Sequence, residues 1–469
     1  MKIKSFILAI SLLLLVSASS YSQFIEDALR FLQPNTGTGA RSLGIGGAYT
    51  GVADDFTAVW WNPAGLGQIK KFELTGGISN YNYSDDADFL GNTKNYSNSS
   101  TTLNNLGFVF PFPTVRGSLV FALGYNRTNN FTTGMSFNGF NTISSIIPSL
   151  IRNNKEYNIP YQIFLTDNSG FYTPLTKNLN QRGDVLESGS LGNWAFSGAL
   201  EVAPNLFTGI SLHIATGSYN YDRSYIEEDT RNYYTFLDTL HYSSIDFTRL
   251  DLSDKISGDY SGFGAQLGIL YKFSDKLRFG LTIKTPFKYN IKEDFSTKGT
   301  SYFDNGDSYS YKTTGSGEYD VTTPFVFSTG ISYSIKGILL SGDIDWIDYT
   351  QLEFSNANED VEDLNRDIKS YLRSVVNFRG GIEYTIPNID LKVRGGYAVY
   401  PSPFKDDPSE YNQKILSFGL GYLVEESLMI DATYSINSFT TRRVNYDYTS
   451  QTIEKVKASN LLVTLSFRF

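Results

Sequence analysis

The sequence contains no cysteine, only 2 histidines and 3 methionines, and no excess of basic charge. Without cysteine, disulfides cannot supply its stability, although an exported chain in an oxidising compartment would be expected to use them. Lys and Arg number 39 against 48 Asp and Glu, a net charge of −9, so there is no basic footprint for nucleic acid. Beyond residue 22 no stretch stays apolar for about 18 residues, which excludes helical membrane spans. With His213 and His241 as the only imidazoles and no G-x-S-x-G elbow, a serine hydrolase is disfavoured. The glycines near Gly37 form no G-x-G-x-x-G, so a nucleotide loop is not supported. The acid pairs Asp54-Asp55 and Asp85-Asp86 have no EF-hand spacing and read as solvated acids. Neither a metal nor a cofactor is expected.

What is present points to export and to strands. Lys2 and Lys4 precede an apolar run at residues 6–16, followed by small residues up to Ser22. That run is too short for a membrane helix and reads as a signal peptide (1–22), cleaved between Ser22 and Gln23. Tyr (33) and Phe (34) are abundant. Apolar and polar residues alternate with period two in segment after segment. Leu461, Val463, Leu465, Phe467 and Phe469 share one face, opposed by Leu462, Thr464, Ser466 and Arg468. Residues 376–386 and 428–436 repeat the pattern.

Fourteen candidate strands follow: 71–83, 102–111, 117–127, 191–202, 207–217, 260–273, 276–290, 324–335, 338–354, 374–386, 390–400, 414–424, 427–438 and 457–469. Short connections alternate with long ones (84–101, 128–190, 218–259, 291–323, 355–373, 401–413 and 439–456). An even strand number with short turns at one end and long loops at the other is the pattern of a bacterial outer-membrane barrel. A soluble β-sandwich would share the alternation but not the alternating loop lengths. The expected fold is therefore all-β: a transmembrane antiparallel barrel (71–469) of about fourteen strands in the cell outer membrane, in contact with its lipid.

Residues 23–70 do not read as strands. Residues 24–32 could form a short amphipathic helix, six glycines fall between Gly37 and Gly51, and Trp60-Trp61-Asn62-Pro63-Ala64-Gly65 follows. A fourteen-stranded lumen is too wide for side chains alone to fill, so an internal plug is physically sensible.

Residues 39–69, GARSLGIGGAYTGVADDFTAVWWNPAGLGQI, resemble the N-terminal hatch of the FadL-type outer-membrane transporters, most strongly at the Asn62-Pro63-Ala64-Gly65 motif. The resemblance continues at residues 275–292, in the stretch ending at Phe354, and at FRGGIEY, LKVRGGYAVYPSPF and FGLGYLVEESLMIDATYS in the C-terminal third. The outer loops 128–190 and 218–259 match poorly. The resemblance implies a hatch (23–70) inside the barrel and transport of small hydrophobic compounds, such as long-chain fatty acids or aromatic hydrocarbons. Ligand would pass a hatch-gated pocket and leave sideways at a kinked third strand, where Gly117 and Gly124 are the candidate gap residues. It also implies that Phe469 is read by the barrel-insertion machinery. A FadL-like barrel can alternatively serve as the shuttle of the type IX secretion system. A monomer is expected.

Phe56, Trp60 and Trp61 either line an apolar pocket or anchor the plug. Asn62 and Pro63 suit a turn that positions the hatch. Ile147 and Ile151, with Phe137, Phe140, Ile146 and Leu150, either form an exposed ligand-collecting groove or pack a small loop core. Arg379 has no partner on its own hairpin and could meet a ligand carboxylate, whereas Glu383 should face Arg394 across the 387–389 turn.

Overall fold

The structure, a computed structural model, describes residues 21–33, 37–153, 158–235 and 246–469. The basic and apolar parts of the signal sequence and His241 lie outside the described residues.

Period-two alternation becomes a single antiparallel sheet of eighteen segments whose first strand, β1 (Glu73–Phe89), pairs with its last, β18 (Gln451–Arg468). The intervening strands run β2 (Asn92–Phe112), β3 (Leu119–Asn130), β4 (Thr133–Asn141), β5 (Leu179–Ala203), β6 (Leu206–Glu228), β7 (Phe247–Lys272), β8 (Leu277–Lys284) and β9 (Lys288–Phe303). They continue with β10 (Ser308–Thr322), β11 (Val326–Ile335), β12 (Ile338–Asp348), β13 (Glu353–Ser355), β14 (Ser374–Ile386), β15 (Leu391–Tyr400), β16 (Gln413–Val424) and β17 (Leu428–Val444). Four staves are each built from two collinear segments: β3 with β4, β8 with β9, β10 with β11, and β12 with β13. The closed barrel therefore has fourteen staves, as the sequence predicts.

The faces sort as a membrane barrel requires. Leu461, Leu465 and Phe467 point outward and are exposed, while Leu462, Thr464 and Ser466 are buried in the lumen. The same split separates Phe378, Ile382 and Tyr384 from Asn377 and Glu383 on β14. Leu74, Phe196, Ile214, Leu267, Ile331 and Phe418 add to an exposed apolar band around the wall.

Several boundaries differ from expectation. The presumed long loop 84–101 is a ladder running to Phe89↔Asn92, closed by Leu90 and Gly91 at φ 53° and 82°. Two consecutive positive φ values are what a tight hairpin turn needs. Residues 291–323 and 439–456 are likewise mostly paired strand. These segments lack an apolar face, but above the membrane a ladder needs only its backbone bonds.

The strand expected over 276–290 is broken at Thr285-Pro286-Phe287, and the stave beside it at Thr323-Pro324-Phe325, because proline cannot donate to a ladder. The threonine hydroxyls take over: Ala265 N donates to Thr285 Oγ1 at 3.0 Å and Phe287 N to Thr323 Oγ1 at 2.9 Å.

Helices fill the inside and cap the loop end. They are α1 (Tyr21–Leu29), α2 (Ala40–Gly44), α3 (Ala58–Trp61), α4 (Ile146–Asn153), α5 (Ile159–Gln162) and α6 (Glu359–Tyr371). Ile25, Ala28 and Phe31 pack with Leu364 and Ile368 of α6 and with wall residues such as Tyr260 and Tyr289.

Glu383 does face Arg394, at 2.6 Å, and Arg394 continues to Asp431 at 2.6 Å. Both guanidinium contacts are fully buried, and Glu383 is also held by Arg41 at 2.9 Å. Glu383→Leu leaves two buried cations short of a partner. It should lower unfolding stability by about 3–5 kcal/mol, measured by urea titration of the protein in lipid vesicles.

Candidate functional site

Residues 37–69 lie inside the barrel, and their backbone approaches the wall so closely that the wall carries glycine where they meet. A side chain at Gly209 or Gly268 would collide with Pro63, Ala64 or Asn62, and one at Gly396 would collide with Gly46. The Asn62-Pro63-Ala64-Gly65 motif is the wedge at the centre of this seat. Asn62 is fully buried and caps the 3-10 turn Pro63–Gln68, its Oδ1 accepting from Ala64 N at 3.1 Å. Its Nδ2 donates to Thr50 O at 2.8 Å within the plug and to Ile269 O at 3.1 Å in the wall. Pro63 opens the turn, where its missing N–H is no loss. Gly65 is required because a Cβ there would lie 2.0 Å from Ala53 O. The motif therefore positions the plug.

Charges fix the plug's orientation. Arg41 forks onto Glu383 (2.9 and 3.1 Å) and also pairs with Asp54, which Arg278 reaches at 3.2 Å. Burial alone would push the Asp54 carboxyl up, but Arg41, Arg278 and Arg468 hold it well below the usual carboxylate range. Asp343 accepts from the backbone N–H of both Tyr49 and Thr50 at 2.8 Å. Sequence reasoning did not give the partners of Arg41, Asp54 and Asp343, because plug-to-wall pairs have no fixed spacing along the chain; Asp54, read as a solvated acid, is ion-paired instead.

On the loop side of the plug is a cavity of about 160 Å³ lined by Phe31, Trp60, Trp61, Lys284, Phe287, Tyr289 and Arg379, among others. Three of the proposed ligand residues thus meet: Trp60, Trp61 and Arg379. Arg379 is not free. It pairs with Asp345 (2.7 Å) and Asp343 (3.4 Å) on the other neighbouring strand, and its guanidinium lies 5.2 Å from the Trp61 ring. Lys284, which the sequence reading passed over, lies with its amine 3.5 Å from the centre of the Trp60 ring. Asp345, which lines the same cavity, is held by Arg379. His213 sits between Trp60 and Phe287 with both ring nitrogens unpartnered among the described residues. Above this cavity a chamber of about 870 Å³ opens toward the loops, lined by tyrosines and ion-paired residues such as Tyr219, Tyr319, Arg30 and Arg443.

The remaining candidates lie elsewhere. Phe56 is buried against the paired glycines Gly107 and Gly124, where a Cβ would come within 2.1 and 2.4 Å of its ring. Gly124 therefore makes room for the plug. Gly117 precedes β3, in the turn, at φ 72°. Ile147 and Ile151 are buried in a loop core with Phe89, Met135, Phe137 and Ile163, so they present no groove. Phe469 exchanges backbone bonds with Phe72 (3.1 Å each) and stacks on it at 5.5 Å.

The third stave does have an irregularity, displaced from those glycines. Its register to β5 shifts between Arg127 and Asn129, and the stave breaks before Thr133. The β2–β3 ladder stops at Asn105↔Asn126, although β2 remains laddered to β1 as far as Asn92. Beyond that rung side chains span the two staves: Arg127 Nε to Leu103 O (3.1 Å), Asn130 Nδ2 to Ser100 Oγ (2.9 Å) and Asn98 Nδ2 to Thr133 O (3.4 Å).

No curated protein matches the sequence. Solved structures do. A FadL homologue of Pseudomonas aeruginosa is 13% identical with a TM-score of 0.58, covering 93% of this chain and 99% of that one. The Pseudomonas putida toluene transporter TodX is 14% identical with a TM-score of 0.57 (92% and 99% covered). The Ralstonia pickettii toluene transporter TbuX is 16% identical with a TM-score of 0.51 (92% and 98% covered). At these identities the likeness establishes the fold. A sequence model described as outer membrane protein transport protein (OMPP1/FadL/TodX) matches residues 182–469. The chain belongs to that family, the FadL/TodX outer-membrane β-barrel transporters of hydrophobic compounds.

Proposed function

We propose that this protein admits small hydrophobic compounds through the loop-side chamber, holds them in the cavity against Trp60 and Trp61, and releases them sideways between β2 and β3. The observation that carries this reading is the early end of the β2–β3 ladder. A sheet edge without a ladder leaves a row of unpaired backbone groups, so a stretch of wall closed by side chains instead, at the border of the lipid band, is a built exception. It begins where Leu103 and Tyr125 give way to Arg127 on the outer surface, at the upper border of the apolar band. A molecule leaving there enters the bilayer without exposing its apolar surface to water, which would cost about 25 cal/mol per Å².

The cavity size suits one aromatic ring or one end of a chain, since an apolar cavity of about 150 Å³ holds benzene. Lys284 favours an acid end, so long-chain fatty acids are the preferred substrate and aromatic hydrocarbons the alternative. Shifts of the plug at the Asn62 wedge would gate the path, and Phe469 would serve as the assembly signal. The chamber and the seam support transport over a secretion shuttle, which would need neither.

Cells lacking their own transporter and expressing this protein should take up a labelled long-chain fatty acid, and Asn62→Ala should reduce that uptake. Lys284→Met should lower acid uptake about tenfold, the weight of one charge-assisted bond, and leave toluene uptake unchanged. For the exit, Ser100→Cys with Asn130→Cys places two thiols across the seam. Oxidation should stop uptake and reduction restore it; oxidised protein that transports at the full rate would rule out the lateral path.

A further inference from the structure

The lumen face of β2, β3 and β5 carries a row of asparagines that the transport path as described leaves unused. Asn105 faces Asn126 across the β2–β3 ladder, and Asn126 faces Asn193 across the β3–β5 ladder. All three are buried, none more than 1% exposed. Neither amide atom of Asn105 or of Asn126 has a hydrogen-bond partner among the described residues. Asn193 Oδ1 has none either, while its Nδ2 donates to Thr128 Oγ1 at 2.9 Å.

Buried amides are nearly always bonded, so a register-matched row of unbonded ones calls for a reason. Its position supplies one. The row is the last rung before the seam. Two residues further along each strand lies the Gly107↔Gly124 pair that seats Phe56 of the plug. Polar capacity without a partner thus sits at the foot of the opening, beside a plug side chain.

We propose that Asn105, Asn126 and Asn193 form a binding station for an uncharged oxygen function on an amphiphilic ligand: a hydroxyl, a carbonyl or a protonated carboxyl. An amide offers both a donor and an acceptor, so it can bond either side of such a group. The row has no charge of its own to hold a carboxylate, and a plain hydrocarbon would leave its groups unmet. The station is closed as it stands; ligand reaches it when Phe56, one step along the same face, yields. The inference rests on the lateral-exit reading and adds to it a preference for ligands with an oxygen-bearing end.

The test is paired uptake of 1-dodecanol and dodecane by cells expressing the full chain, scored as the alcohol-to-alkane ratio so that differences in folded protein cancel. Asn105→Leu with Asn126→Leu should lower the ratio about tenfold, the factor carried by one such lost hydrogen bond. Asn126→Ser, which keeps a hydroxyl, should retain most of it. An unchanged ratio, whether both uptakes persist or fall together, overturns the station and leaves transport standing. Wild-type protein that moves neither compound overturns the transport reading and the station with it.

Discussion

A backbone amide in the bilayer core has no water to bond, and that single constraint orders the whole molecule. It forces β1 onto β18, because any open edge would strand a column of N–H and C=O groups in lipid. It also explains the repairs. Where Pro286 and Pro324 interrupt adjacent staves, the hydroxyls of Thr285 and Thr323 accept from the N–H groups of Ala265 and Phe287. Closure at fourteen staves then creates a second problem, a lumen wider than the side chains lining it can fill.

The plug answers that problem by bringing main chain against main chain. Close approach demands glycine on the wall, and directional contacts fix a single seat. Asn62 bonds plug and wall at once, Asp343 captures two plug amides, and Arg41 joins Glu383 to Asp54. Apolar contact alone would leave the plug free to slide, since it has no preferred direction. A buried ion pair adds little net stability over an apolar replacement, so its value here lies in specifying position.

Strand number and facing were legible because the period of two survives in every lipid-crossing segment, as in Leu461 to Phe467. The reach of the strands beyond the membrane was not. Residues 92–101 carry no apolar face, yet they stay laddered because the chain opposite is extended too. The hatch motif was legible as a motif, but its partners were not, since Ile269 and Thr50 meet Asn62 through the fold. Gly117 and Gly124 illustrate the opposite error. A strand glycine has several causes, and the one at Gly124 is the Phe56 ring rather than a kink. Ile147 and Ile151 carried a helical apolar face that fits a groove or a core equally well, and only the packing against Met135 and Phe137 decides between them.

Polarity falls along the lumen, from the chamber of about 870 Å³, where Arg443 pairs with Glu187 and Glu454 at 3.0 Å, to the cavity of about 160 Å³ walled by Trp60, Trp61 and Phe287. An apolar molecule gains burial as it moves inward. A carrier must not gain so much that release stalls. For the proposed long-chain ligand the small cavity would set that limit by volume, because about 160 Å³ covers one end of the chain and leaves the rest outside. On that reading the remaining apolar surface would be buried only when the chain enters the lipid tails. On the proposed path the drive toward the membrane would therefore come from the part of the ligand that the protein does not enclose, with the side-chain seam beside the plug as its exit.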